Sequence, residues 1–295
     1  MRRLISTLLA LAGWAASSEL RAAEPVTRAP RLVLPADYRN ADALDYALTL
    51  GGFTGAAVMV LGFRRTGDPN WDSPILFDTP VRDALLGSSA GRRAYGIASD
   101  ISVSASIGWV AFDALGLAWA IDRNPRVARE LFWMDTEAYA LTLLVTNVVK
   151  TAVLRRRPYG AECDRDANYD PHCNGKEENV SFFSSHSATA ATSAGLLCAQ
   201  HTYLRSYGGA ADPVACAGAL GLMTATGLLR IASDNHWASD VVLGYAVGLA
   251  SGYGLPLLLH FKSPLPRRAR DGGFRVQLLP WGDASRLSLF ALGTF

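Results

Sequence analysis

Charge is scarce in this chain. Asp, Glu, Lys and Arg make up 18% of its 295 residues, where about a quarter is usual for a soluble globular protein. The formal net charge is only +2, too small a surplus to argue for a nucleic-acid partner. Cysteine is sparse as well. Cys163, Cys173, Cys198 and Cys216 are the full set, and none has the paired C-x-x-C spacing of a zinc site. No low-complexity tract and no internal repeat of solenoid length is present, which excludes repeat architectures. The length suits one large domain, with or without a tail.

What the chain has in quantity is apolar residues, 50% of the total. They gather into six stretches too long for strands: Tyr46 to Phe63, Ile101 to Ile121 (interrupted by Asp113), Tyr139 to Leu154, Ala188 to Ala199 continuing to Leu204, Val214 to Ala232, and Val241 to Phe261. Length favours helix for each. The sixth is uncharged and reaches the roughly 20 residues that span a bilayer. The others carry Gly, Ser, Thr and an occasional charge. Such residues suit packed membrane helices, and also the buried helices of a soluble bundle. The expected fold is therefore all-α, a bundle of about six core helices, embedded in a membrane.

The flanks read differently. Arg2 and Arg3 followed by the apolar run Leu4 to Ala16 resemble an export signal, or an uncleaved N-terminal anchor, over residues 1–23. Residues 24–40 are polar and Pro-rich and read as a linker. The helical domain is expected over 41–262. After Pro264 come Arg267, Arg268 and Arg270. Beyond them, Phe274, Val276 and Leu278 alternate with polar residues, and Leu287 to Leu292 forms a second apolar segment, so 263–295 reads as a basic segment with a β-hairpin-like tail.

Three clusters of polar residues interrupt the apolar background. The first is Lys150, six residues, Arg157 and Pro158. Pro158 disfavours helix at the residue before it, so the third helix should end here with two cations at its mouth. Arg can hold two oxygens of one anion and Lys adds a point charge. Taken alone, the pair could as well answer the helix dipole. The second cluster is Ser181-Phe182-Phe183-Ser184-Ser185-His186, just before the fourth helix. Its hydroxyls and free N–H groups suit an N-cap or an anion, and His186 could donate a proton or merely pack. The third is Arg230, five residues, His236, three residues, Asp240. If the sixth helix starts near His236, the carboxylate lies within hydrogen-bond reach of the imidazole and fixes its tautomer, leaving the other nitrogen as a nucleophile. The bland alternative is a surface His beside a helix-start Asp. His172, His201 and His260 show no ligand spacing and are read as loop or helix-end residues without a catalytic role.

In order and spacing the clusters resemble the type-2 phosphatidic acid phosphatase and vanadium haloperoxidase superfamily, whose pattern is K-x6-R-P, P-S-G-H and S-R-x5-H-x3-D. The resemblance covers about 139–261. Phe183, Ser185 and Leu229 depart from it, standing where the family has Pro, Gly and Ser. The resemblance implies a helical phosphatase acting on phosphate monoesters or diphosphates, lipid phosphates foremost, with no metal or other cofactor. In that reading His236 attacks phosphorus to give a phosphohistidine, Asp240 orients it, and His186 protonates the leaving oxygen. Lys150, Arg157, Ser184, the Ser185 N–H and Arg230 hold the phosphoryl oxygens. A vanadate-dependent haloperoxidase would use the same residues, and a non-enzymatic membrane bundle would treat them as incidental. The partners expected are a phosphorylated lipid or small phosphate ester and a membrane.

Cys163 and Cys173 lie ten apart in the polar loop Tyr159 to Val180, close enough to bridge in an oxidising compartment. Cys198 and Cys216 sit in apolar runs and are expected to be buried thiols. An oxidised loop beside the site points to a bacterial-type envelope. The protein would sit either in an inner membrane with its site towards the periplasm or free in the periplasm.

Overall fold

A computed structural model describes residues 31–63, 68–173, 175 and 177–262, and the backbone of 275–283 and 286–294. The export segment 1–23, the first part of the linker and Arg267, Arg268 and Arg270 lie outside the described residues. Each of the six apolar stretches is a helix. α1 is Ala43–Gly62, and the short α2 is Asp78–Leu85. α3, Ser89–Ala111, runs on through a π-helical segment to Ile121. α4 is Pro125–Val153, and α5 is the single turn and a half Pro158–Cys163. α6 is Ser185–Tyr203, and α7 is Ala211–Ala232. α8, Ala238–Leu249, continues through π-helical turns to Phe261. β1, Arg275–Asp283, pairs antiparallel with β2, Arg286–Thr294.

The middle of the bundle is α6, which packs on α3, α4, α7 and α8. Its sequence explains this position. Ala188, Ala190, Ala191, Ala194, Gly195 and Ala199 leave little side chain on any face, so neighbours can approach from all sides. The closest approach is to α8. A Cβ on Gly248 would come within 2.2 Å of the Ala188 carbonyl oxygen, and one on Gly252 within 2.1 Å of that of Thr192. Glycine at these positions lets the two backbones touch. One turn earlier, that contact brings the Asp240 carbonyl to the Ser184 N–H at 3.2 Å. The buried hydroxyls of α6 are satisfied within the bundle. Thr192 meets Thr142 at 2.7 Å and Ser193 meets the Tyr139 hydroxyl at 2.8 Å.

The outer surface reverses the usual distribution. On α1 the buried positions are Asp45, Thr49, Gly52 and Ala56, whereas Leu48, Leu50, Val58 and Leu61 face outward. On α3 Ser99, Ser102 and Ser106 are buried, and Ile97, Ile101 and Ile107 are exposed. A soluble bundle would bury such side chains. Four helical segments, Ala43–Gly62, Ser89–Ile121, Ala211–Ala232 and Ala238–Phe261, are long and apolar enough to cross a membrane. Together these features indicate membrane association.

Three expectations are corrected. Residues 32–39 do not run free as a linker. Leu32 and Tyr38 enter the core, the Leu32 N–H donates to Asp122 at 2.8 Å, and Arg39 is buried against Asp45 and the Leu259 carbonyl. Apolar residues spaced among prolines are enough to dock a strap that has no periodicity of its own. The third helix begins at Pro125, well before Tyr139, because the buried Glu130, Asp135 and Glu137 hide its apolar pattern. Cys198 and Cys216 are joined in a disulfide, the adjacent α6 and α7 bringing their Cα atoms to 4.5 Å. The Cys163–Cys173 pair is also bonded.

The bundle has two polar ends. At one, Asn70 and Trp71 meet the chain at Leu154–Arg156, and Gly87 meets Ala232. At the other, His201 lies buried between Asp212 (2.7 Å) and Asp113 (3.1 Å), and His260 faces Glu137 at 3.1 Å. Asp45, Glu137 and His260 bring potential ligand atoms within 4.8 Å of one another there. Arg39 already supplies positive charge to that group through Asp45.

Candidate active site

The three sequence clusters meet at the first of these ends. α4 stops at Val153, where Leu154 takes a left-handed conformation (φ 46°). The helix thus ends before Arg157, and Pro158 starts α5 instead. The turn sends Arg155, Arg156 and Arg157 outward as an extended segment with three different destinations. Arg157 is buried and holds the Glu177 carbonyl through Nε at 2.6 Å, the Asn235 carbonyl through Nη1 at 3.1 Å and the Glu177 carboxylate through Nη2 at 3.2 Å. Its Nη1 also lies 3.4 Å from His236 Nε2. Lys150, one turn inside α4, donates its ammonium to the Val180 carbonyl. Burial and the Arg157 charge hold Lys150 well below the ordinary lysine range.

Ser184 is the N-cap of α6. Its Oγ accepts from the Ser187 N–H at 3.3 Å and from the Ser187 hydroxyl at 2.9 Å. Ser185 is the first helical residue, so its N–H is one of the donors that an α-helix leaves without an internal partner. His186 follows, half-buried, with Nε2 at 2.8 Å from Asp100 on α3. Arg230, in the last turn of α7, places Nη1 at 3.3 Å from the Ser99 hydroxyl and 3.8 Å from Asp100. Its Nε is a buried donor with no partner among the described residues.

His236 does not lie on the sixth helix. α8 begins two residues later, at Ala238. The backbone N–H of His236 is held by the Arg230 carbonyl at 3.3 Å, so the 230–236 turn ties nucleophile candidate and cation together. Nδ1 is 3.6 Å from Asp240 Oδ2, longer than the direct hydrogen bond expected from the spacing. Ser181 shares the position, its hydroxyl 2.5 Å from Asp240 Oδ2 and 3.5 Å from His236 Nδ1. Since a guanidinium only donates, the contact at Nε2 requires that nitrogen to present its lone pair. Burial first, then the charges of Arg157, Arg230 and Lys150, push the His236 pKa well below the usual histidine value. The ring is neutral and its outward nitrogen unprotonated at neutral pH, the state a nucleophile needs. The charge of His186 also disfavours protonation of His236.

Sequence reading missed the residues that support this centre. Arg155 is fully buried, donates to Asp240 at 2.7 Å and to Asp78 at 2.6 Å, and stacks 3.8 Å over the Trp71 ring. Within a run of three arginines nothing marks it as the structural one. Arg82 grips Asp234 with two hydrogen bonds of 2.6 and 2.7 Å, and Tyr169 adds a third at 3.0 Å. These contacts anchor the loop that carries His236. The Cys163–Cys173 loop joins the same end through Tyr169, and Glu177 and Glu178 just after it hold Arg157 and Arg156. The remaining histidines take no part. His172 is exposed beside Asp170, and His201 and His260 are core residues at the far end, more deeply placed than helix-end positions suggested.

Arg157 thus lies against a neutral imidazole, Lys150 and Arg230 belong to the same end of the bundle, and spare donors from Arg230 and the α6 N-terminus are available to an anion. Residues 136–263 match the family model of the PAP2 superfamily. Neither a search of curated proteins nor one of solved structures finds a match.

Proposed function

We propose that this protein hydrolyses phosphate monoesters or diphosphates of lipids through a phosphohistidine, a reading supported by the match of residues 136–263 to the PAP2 superfamily model. The observation that carries the proposal is the His236 ring. It is buried and neutral, and its lone pair at Nε2 lies beside the Arg157 guanidinium. A dianion drawn to Lys150, Arg157 and Arg230 would bring phosphorus to that nitrogen.

In the first step Nε2 forms a bond to phosphorus while the bond to the leaving oxygen breaks, and His186 gives that oxygen its proton. Asp240, held by Arg155, Ser181 and the Trp237 N–H, offsets the positive charge that develops on the His236 ring. In the second step His186, now neutral, takes a proton from water. The water oxygen attacks phosphorus, the P–N bond breaks, and inorganic phosphate leaves. The three cations, Ser184 and the Ser185 N–H hold the equatorial oxygens throughout, the part of phosphoryl transfer that depends most on the protein. Ser185 keeps the N–H that the family's glycine would offer, and the loss of a hydroxyl at Leu229 leaves Ser99 as the hydroxyl partner of Arg230.

A lipid substrate is supported by the apolar outer faces of α1, α3, α7 and α8, which would set the phosphate site at the edge of a bilayer. The site is proposed to face an oxidising, exported side, since the loop over it is closed by Cys163–Cys173. Because α6 and α8 both run from the site to the other end, residues 31–42 would then lie on the inner side.

Rapid-quench labelling with a 32P-phosphate ester tests the mechanism. Wild type should accumulate an acid-labile, base-stable phosphoenzyme within the first turnover. Failure to trap one at substrate saturation, together with bromide oxidation in the presence of vanadate and peroxide, would point to the haloperoxidase chemistry instead.

A further inference from the structure

Each histidine of the site faces a carboxylate, and only one of the two belongs to the motif. Asp240 sits against His236 in the interior. Asp100, on α3, holds Nε2 of His186 at 2.8 Å, and its side chain is 61% exposed. A carboxylate at the mouth of an anion site has a cost, since it repels the substrate's phosphate and competes for Arg230, 3.8 Å away. Its contact with His186 supplies the compensating gain.

We propose that Asp100 is the positioning residue of the general acid: it holds the His186 ring through Nε2 and stabilises the imidazolium, so that the other nitrogen, Nδ1, delivers the proton to the leaving oxygen. The inference rests on the phosphatase reading above and adds a residue to it.

The charges around His186 make such a partner necessary. Arg230 from α7, Arg157 from the segment after α4 and His236 from the turn before α8 all face it, and none favours a protonated ring. Burial and Arg230 hold His186 low, at about 4, with Asp100 opposing them. An acid must carry its proton when the leaving oxygen departs. A bound phosphate dianion raises the His186 pKa, and Asp100 acts in the same direction before and during that step. The exposure of Asp100 keeps the desolvation cost of its charge small.

Asp100→Asn keeps the shape and a hydrogen-bond acceptor but removes the charge. With the charge gone the imidazolium loses support, its pKa falls, and the basic limb of the kcat profile moves to lower pH, by about one unit or more. At neutral pH kcat for an alkyl phosphate should fall about tenfold. For p-nitrophenyl phosphate, whose leaving group needs little protonation, kcat should change far less. Asp100→Glu should recover part of the alkyl phosphate rate, and thermal melting should match wild type for both variants.

A limb that stays in place while KM falls would show that Asp100 only competes with substrate for Arg230, and the proposal would be overturned. Equal losses for the two leaving groups would overturn it as well. A wild type inactive on both esters would instead remove the phosphatase reading beneath it.

Discussion

The two polar ends of the bundle both bury histidine beside carboxylate, yet they are organised oppositely. Far from the motif, the buried positive groups His201, His260 and Arg39 each face an acid. His201 bridges Asp113 and Asp212, His260 meets Glu137, and Arg39 meets Asp45 and Asp42. Even the Tyr207 hydroxyl is tied to Asp113 at 2.7 Å. At the motif end Lys150 donates only to a carbonyl, Arg157 spends most of its donors on carbonyls, and Arg230 has a buried Nε without a partner among the described residues. The first arrangement is closed on itself and stabilises the fold. The second leaves Lys150 on a carbonyl and Arg230 with a buried donor unpaired among the described residues, donors that are open to an anion. Buried histidine by itself therefore says little about function, whereas buried cationic donors left to carbonyls or without a partner say more.

That contrast can be broken by mutation, most forcefully at His236. His236→Ala should lower turnover of p-nitrophenyl phosphate by roughly 10⁴-fold or more, since in this reading His236 forms the covalent bond. Circular dichroism melting should show a folded protein. Substantial residual turnover would remove His236 from the chemistry.

At the opposite end the expected effect is on stability alone. His201→Ala leaves Asp113 and Asp212 buried without their shared partner, a change that should destabilise the protein by about 3–5 kcal/mol. Turnover per folded molecule, measured with active-site titration, should match wild type. If activity fell while the fold held, the division of labour between the ends would be wrong.

The smallest effect sharpens the comparison of charge. Inorganic phosphate at a hundred times its Kd should stabilise wild type by about 2.7 kcal/mol. Arg157→Ala should retain less than half of that shift in the same melting experiment, while His201→Ala, though less stable overall, should show the full increment. An unchanged phosphate response in Arg157→Ala would place the anion elsewhere.

Much of this molecule is legible along the chain. Lys150, Arg157, Ser184, His186, Arg230, His236 and Asp240 stand out because their spacing follows helix ends, and helix ends are set locally by prolines, caps and the limits of apolar runs. The six helices follow from the same local rules, and small residues on α6 and α8 already indicate close packing. The cysteine pairing between Cys198 and Cys216 is not legible, because two thiols in apolar runs look alike whether α6 and α7 bring them together or not. Nor is the strap at residues 32–39, whose few apolar side chains matter only once a groove exists to receive them.

By itself, then, the sequence determined that the six apolar stretches are helices, the order of the motif residues and the chemical class those residues suit, all of which depend on interactions over a few positions. Only the tertiary structure decided that Arg155 and Ser181 support Asp240, that Arg82 and Tyr169 fix the turn bearing His236, and that Asp100 partners His186. Each of those contacts joins residues more than fifty positions apart. Such pairs leave no periodic trace in the chain, because they are set by how whole helices pack and not by the preferences of neighbouring residues.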